Sequence, residues 1–508
     1  MDLILACTSF LPFPGVCAWG SAGGEAAHAT LGLAKALRGL GHRATLVAPL
    51  DPAIGNAGLG LARRLSPLSL ALPGGVARIE RTVHDARLPS GVEIVLLGGD
   101  PPSEGTSPED VALRSALFGH AVAAIARQRL GAVAPRSGAE GELEAVISVG
   151  EGAALTSLAI REDAKLPALD GGPSHRLLAG LARVAIPLDP SADLRLPASA
   201  LASIGVESSL FSTEGVEFYG QISFEKAAAV AADRVVSLGE ATRLGLVREG
   251  ASHRFDGVFR ARGGELVSIG SGVDQAQYNP ATDPHLTMRF DPEDLSGKGR
   301  GRASLLAELE VDTGPEVPLL AILGGTELSA ARASEAKWQL ETAIPSIGRA
   351  LRGELAVVVA FARPRGEGEI DQALDRLQKT HVGRIAVRYG AQEPLLHRVL
   401  AAADLALVVD PTSATGIPAR AAMRYGAVPI AARTPSMEEA IVDVEASLAT
   451  GNGFLFEPGD DVFGALERAV SAFAHPAWPR LQRRVMRVEG GWERAARRLE
   501  RLIQQIEG

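Results

Sequence analysis

The residues of this chain best placed to do chemistry are glycines that bare the backbone and arginines that follow them. Ser21-Ala22-Gly23-Gly24-Glu25 leads into a helical pattern, and Gly324-Gly325 ends an apolar run. Without a Cβ, such turns admit a ligand close to the N–H groups of a helix N-terminus, where an anion is favoured. Arg332, Arg363 and Arg365 come after the second turn, and a guanidinium binds phosphate oxygens in pairs. The competing reading for each arginine is a solvated surface charge. Asp410 offers a carboxylate at the end of an apolar run, with a helix cap as its competing role. These residue types suit a ligand that carries phosphate. His28, His42, His175 and His397 show no metal-ligand spacing, so no metal and no cofactor is expected.

The elements that must position these groups alternate along the whole chain. Short apolar runs read as strands at Leu3–Cys7, Ala44–Ala48, Glu93–Leu97, Ala145–Val149, Val184–Ile186 and Arg234–Ser237. A second set covers Pro318–Leu323, Leu355–Phe361, Ile385–Val387, Leu405–Val409 and Val428–Ala431. Runs apolar on both faces and separated by helices predict parallel sheets with crossover helices. Leu33, Leu37 and Leu40 mark a helix over Ala26–Leu40, with Gly41 as its stop. Residues 51–144 read mainly as Gly/Pro-bearing loops between strands.

At 508 residues the chain exceeds one core and should split into at least two domains. A net charge of −9 argues against nucleic acid or an anionic membrane as partner. Two cysteines, Cys7 and Cys17, make no disulfide framework, and a reducing cytoplasm fits. Ile4-Leu5-Ala6-Cys7 is lipobox-like in outline but lacks the preceding basic segment, so a buried first strand is expected there.

Three blocks identify a relationship: VEFYGQISFEKAAAVAADRV (216–235), FDGVFRARGGELVSIGSGVD (255–274) and YNPATDPHL (278–286). In this order and spacing they resemble the bacterial glycogen synthase and plant starch synthase family, glycosyltransferase family 5. LAKALRGLGHRATLVAP, VPLLAILGG (317–325), LLHRVLAAADLALVV (395–409), TGIPARAAMRYGAVPIAARTPSMEEAI (415–441) and GNGFLFEP (451–458) extend the likeness. It covers most of 1–50 and nearly all of 205–508. The resemblance implies an α/β fold of the GT-B class, two doubly wound Rossmann-like domains facing a central cleft. It also implies glucosyl transfer from ADP-glucose to an α-1,4-glucan.

The family's charged groups are largely absent from the matching positions. Its loop lysine aligns with Ser21, and the arginine and lysine after the first C-domain strand align with Gly325 and Ala330. The carboxylate of its E-P-C-G-L-T loop aligns with Ser413. Its His-Asn pair falls at Leu188-Asp189, its D-W motif near Gly150-Glu151, and the Asn of N-G-[IV]-D at Ser271. From Pro411 to Met437 there is no carboxylate, and the threonine whose N–H helps hold the diphosphate becomes Pro418, which has none. Fixed cations and N–H dipoles at the leaving phosphate are what such a transfer needs. Glu25, directly after the glycine pair, resembles the GGxE-type loop of other GT-B transferases but lacks the intervening residue.

What remains as nucleotide-sugar-binding candidates is Gly23, Gly24, Gly324, Gly325, Arg332, Thr415 and Gly416. Glu217, Tyr219 and Gln221 keep the family's EFYGQ block and are the acceptor-side candidates. The competing reading is structural: the block opens a helix, with buried Tyr and Gln hydrogen-bonding inside the fold. The NPATDP block reads as a turn fixed by Pro280 and Pro284. Domains are expected at 1–295 (acceptor side) and 316–476 (nucleotide-sugar side), joined by a hinge at 296–315. A basic helix, 477–508, with a solvated arginine face, would lie across the boundary. The expected function is that of a glycogen-synthase relative with transfer much reduced or lost. It would bind glucan or a nucleotide sugar, or form hetero-oligomers with an active synthase. Two alternatives stay open: an active retaining transferase with rearranged phosphate ligands or another donor, and a non-catalytic interaction scaffold.

Overall fold

The computed structural model describes residues 1–8, 22–51, 59–70, 72, 79–99, 107–132, 143–166, 175–250, 253–324, 330–409, 413 and 415–507. Two compact units emerge: one of Met1–Phe13, Ala26–Gly270 and Trp492–Gly508, the other of Pro14–Glu25 and Ser271–Gly491.

The first unit is built on strands β1 (Asp2–Ala6), β2 (Arg43–Pro49), β3 (Ile79–Arg87), β4 (Glu93–Gly98), β5 (Leu143–Val149), β6 (Ala182–Ile186), β7 (Arg234–Ser237) and β8 (Leu266–Ser268). They lie in the order β8-β7-β6-β5-β1-β2-β4-β3. β1 pairs in parallel with both β2 and β5, so the chain winds outward from it in two directions. That is the doubly wound pattern. Only β3 of these runs antiparallel, against β4.

Helix α1 (Ala22–Gly39) starts earlier than the sequence predicts, with Gly23 and Gly24 in its first turn. α2 (Pro108–Ala132) and the β3–β4 hairpin correct the reading of 51–144 as mainly loops. α2 buries Ala112 and Ala116 in one core cluster and Phe118, Ala121, Val122 and Ile125 in another. A helix buried on two sides carries no clean apolar stripe, and periodicity misses it.

The EFYGQ block is also corrected. It forms a hairpin, Glu217–Phe218 against Gln221–Ser223, ahead of α3 (Phe224–Ala231). Its two central residues, Tyr219 and Gly220, have φ of 51° and 80°, as a type I′ turn requires. Tyr219 is 64 % exposed rather than buried.

In the second unit α4 (Ser296–Glu308) precedes a parallel sheet of β9 (Leu319–Gly324), β10 (Ala356–Phe361), β11 (Ile385–Tyr389), β12 (Leu405–Leu407), β13 (Val428–Ala432) and β14 (Phe454–Phe456). The order is β11-β10-β9-β12-β13-β14. Leu320, Ile322, Val357 and Val359 enter one core cluster, while Leu319, Ala321, Ala356 and Val358 enter another. Alternate residues thus fill opposite faces, which is why these strands read as unbroken apolar runs. Every strand expected from sequence is present, within two residues of its expected limits.

The expected hinge, 296–315, instead begins with α4 inside this unit, and the chain passes between units at Gly270/Ser271. Lys298 and Arg302 of this helix are buried, and among its glycines they give it the polar composition of a linker. Further helices are α5 (Glu393–Ala402), α6 (Ile417–Arg424) and α7 (Trp478–Met486). The single C-terminal helix is also corrected to two, because α7 belongs to the second unit and α8 (Glu493–Glu507) to the first. Its arginines are not all solvated: Arg484 donates from Nη2 to the Gly451 carbonyl at 2.7 Å.

Candidate functional site

The second unit contains a compact anion-accepting loop ahead of α6. Gly416 caps that helix with φ 61°, a left-handed conformation that glycine adopts at no steric cost. Ser413 and Thr415 are 2 % and 1 % exposed. Their donors converge on one oxygen of Glu25, a residue that belongs to the same unit. Glu25 Oε1 accepts from Ser413 Oγ at 2.7 Å, the Thr415 N–H at 2.7 Å and Thr415 Oγ1 at 2.5 Å. Ser413 Oγ in turn accepts the Gly416 N–H at 3.2 Å. A backbone N–H and two hydroxyls around one oxygen make a cradle for an anion, and a carboxylate of the chain itself lies in it. Pro418 follows inside the first turn of α6 without an N–H to add.

Two other sequence candidates of this unit, Arg363 and Arg365, are held in ion pairs of their own. Arg363 makes a bidentate pair with Asp371, at 2.8 and 2.5 Å, and Arg365 binds Asp375 at 2.7 Å. Burial raises the Asp371 carboxyl, but the Arg363 bonds outweigh it and hold the group below its usual range. Gly324 is the last residue of β9. Ala330 opens the helix Ala330–Ala350, which also carries Arg332. Ser21, Gly325 and Asp410 lie outside the described residues.

In the first unit two distant positions meet. Gly150, with φ 76°, turns the chain so that Glu151 points back at β6. Its carboxylate accepts the N–H of Leu188 at 3.1 Å and also that of Asp189. Both aligned motifs, at 150–151 and 188–189, therefore fall together. Burial pushes the Glu151 carboxyl up to about 7, with the Asp189 charge adding to it and backbone hydrogen bonds opposing. Glu225 sits in the same field and is raised well above its usual value, first by burial and then by Glu151, Asp193 and Asp189. Asp193 accepts the Glu225 N–H at 3.0 Å and pairs with Arg195 at 2.8 Å. Asp193 and Glu225 escaped the sequence reading, because their neighbourhood is made by contacts between separate segments. The only local signal is an acid inside the apolar FEKAAAVA helix.

The EFYGQ hairpin borders a cavity of about 410 Å³ with Ser191, Arg195, His253 and Arg254. Glu217 closes the turn by accepting the Gly220 N–H at 2.7 Å, and Gln221 is exposed. Tyr219, His253 and Arg254 all have positive φ, at 51°, 51° and 74°. Arg195 lies 5.1 Å over the Phe218 ring and Arg254 5.2 Å over that of Tyr219.

No protein-family model matches the chain. It is 30 % identical over 309 residues to "Glycogen synthase 2" of Geobacter sulfurreducens, covering 60 % of this chain and 62 % of that protein. It is 31 % identical over 305 residues to "Glycogen synthase 2" of Bradyrhizobium diazoefficiens, covering 58 % and 60 %. The chain thus spans about three fifths of the length of the curated relatives it matches. Among solved structures it superposes on the catalytic domain of starch synthase IV from Arabidopsis thaliana, bound to ADP and acarbose. There the TM-score is 0.83 at 18 % identity, over 99 % of both chains. Sucrose-phosphate synthase from Thermosynechococcus elongatus follows at TM-score 0.59, 14 % identity and 100 % and 99 % coverage. These likenesses give the fold as GT-B. No helix among the described residues is long and apolar enough to cross a membrane.

Proposed function

We propose that the chain is a member of the glycogen and starch synthase family in which transfer from ADP-glucose is strongly reduced or lost, on its likeness to the glycogen synthases and its GT-B fold. Its remaining role is to bind α-glucan or nucleotide in the cytoplasm, or to regulate an active synthase as a hetero-oligomer. The observation that carries this reading is the Glu25 carboxylate lodged on Ser413 and Thr415. A diphosphate approaching the same donors meets a negative charge already holding them. Replacement of the family's cations by Ser21, Gly325 and Ala330, and of its loop N–H by Pro418, acts in the same direction. Losing one preorganised donor costs roughly a hundred- to a thousandfold in rate, and these losses fall on the same developing charge.

On this reading Gly23, Gly24, Gly324, Gly325, Arg332, Thr415 and Gly416 are the vestige of the nucleotide-sugar site. Glu217, Tyr219 and Gln221 form the acceptor side. An exposed tyrosine held at positive φ presents its ring to a sugar face, and strained backbone of this kind gathers at binding sites.

A second reading, an active transferase with rearranged ligands, is favoured by Glu151. A carboxyl that titrates near 7 suits general acid–base work. Incubation with labelled ADP-glucose and glycogen separates the two. The expected result is incorporation indistinguishable from the blank, and incorporation well above it overturns the proposal. Calorimetry with ADP, ADP-glucose and maltoheptaose then tells a binding protein from a scaffold that takes none of them.

A further inference from the structure

The NPATDPHL segment, 279–286, has no part in the anion loop or in the Glu151 cluster, yet it meets α5 in a cluster with the chemistry of a metal centre. Glu393 and His397 stand one turn apart on α5, hence on one face. His397 Nε2 lies 3.7 Å from Glu393 Oε1. The His285 ring meets the His397 ring edge to face, with centroids 4.9 Å apart. One ligand atom from each of the three residues lies within 4.8 Å of the others. A tetrahedral centre with bonds of about 2.0–2.1 Å sets its ligand atoms about 3.3 Å apart. The Nε2–Oε1 pair is close to that already, and His285 and Glu393 are only half-buried.

What separates this cluster from a chance grouping is the far side of His397. Its Nδ1 lies 2.8 Å from Asp283 Oδ2 and 2.9 Å from the Tyr425 hydroxyl, which itself donates to Asp283 at 2.5 Å. Tyr278 stacks on the same ring at 5.4 Å. Asp283 and Tyr425 are 0 % exposed. A carboxylate acceptor on Nδ1 assigns the proton there and leaves a lone pair on Nε2, the arrangement in which a histidine is oriented for a metal. That nitrogen and the Glu393 carboxylate, 3.7 Å apart, present two ligand atoms to one point. Gln277 Nε2 donates to Glu393 Oε1 at 3.4 Å and steadies the second ligand. Asp283 also accepts the His285 N–H at 2.8 Å, fixing the third.

We propose that His285, Glu393 and His397 hold a zinc-class divalent cation, with a fourth position open to water. Two imidazoles and one carboxylate suit such an ion. The proposal is independent of whether the chain transfers glucose. Sequence spacing could not show it, since His285 lies far from α5 along the chain.

The test strips the full chain with chelator, then titrates it with Zn²⁺ and with Co²⁺ as a spectroscopic probe. One tightly bound equivalent is expected, with the visible absorption of four-coordinate cobalt. His285→Asn and Glu393→Gln should each lose it, while His475→Gln, at an exposed histidine, keeps it. Tyr425→Phe, which removes only the outer support, should weaken binding roughly ten- to a hundredfold. No saturable binding by the unaltered chain overturns the proposal. Binding unchanged in both His285→Asn and Glu393→Gln overturns it equally, by placing the ion elsewhere.

Discussion

Glu25 and Glu151 are both buried, and their surroundings differ in kind. Glu25 gathers a backbone N–H and two hydroxyls on one oxygen. Glu151 also accepts N–H groups but shares its environment with Asp189 and Glu225. The Glu151 carboxyl, ordinarily near 4.5, is pushed up to about 7. Below its ordinary value the group is protonated in folded and unfolded chains alike and costs nothing. As pH rises from there to about 7, the unfolded chain releases the proton first, so stability falls across that window and stays lower above it. Glu151→Gln keeps the shape and removes the charge. It should therefore flatten the pH dependence and raise stability at pH 8 by on the order of 2–3 kcal/mol, with little change at pH 5. Urea unfolding at the two pH values measures this, and an equal effect at both would contradict it.

At the scale of elements, α4 shows where sequence patterns stop being informative. Its segment has Gly297, Gly299 and Gly301 among polar residues, the composition of a linker. In the fold Lys298 is buried and donates to the carbonyls of Ala401, Ala403 and Tyr425 at 2.9, 2.6 and 2.9 Å. These carbonyls lie at the C-terminal ends of α5 and α6, where helices leave acceptors unpaired. Arg302 binds Asp404 and the Val317 carbonyl, and Asp404 also accepts the Leu319 N–H at 3.0 Å. A polar helix is thus pinned under the start of β9 by charges that find partners only after folding. Lys298→Met should destabilise the second unit by roughly 3 kcal/mol or more, because it orphans three buried acceptors. Thermal unfolding measures it, and a loss under about 0.5 kcal/mol, the range of a surface change, would refute the assignment. Tyr219-Gly220 is the converse case. The block was legible as a resemblance to glycogen synthases, but the hairpin turn, and with it the exposed tyrosine, rests on backbone dihedrals.

For the whole molecule, the proposed loss of transfer can be tried on the frame itself. Restoring the family's groups with Ser413→Glu, Gly325→Arg and Ala330→Lys is the direct trial, but the Glu25 contact adds a condition. A carboxylate at 413 would stand against Glu25, where Ser413 Oγ now donates at 2.7 Å. Two carboxylates at that range repel. The triple variant should therefore stay silent in the labelled-glucose assay, and adding Glu25→Ala should be required for any incorporation. Transfer by the triple variant alone would show that Glu25 does not block the loop.

The likeness to glycogen synthases, the fold class and every strand expected were legible in the sequence, the strands because those buried on both faces write themselves as unbroken apolar runs. The proposed loss of the family's cations rests on the sequence too, as Ser21, Gly325 and Ala330 at the aligned positions. Tertiary structure alone decided which distant residues meet. Glu25 reaches Thr415, Glu151 reaches residue 189, and His285 reaches His397 across 390, 38 and 112 positions of chain. Local periodicity carries no record of such pairs. A carboxylate's partners and its proton affinity are set by burial and by neighbours that only folding supplies.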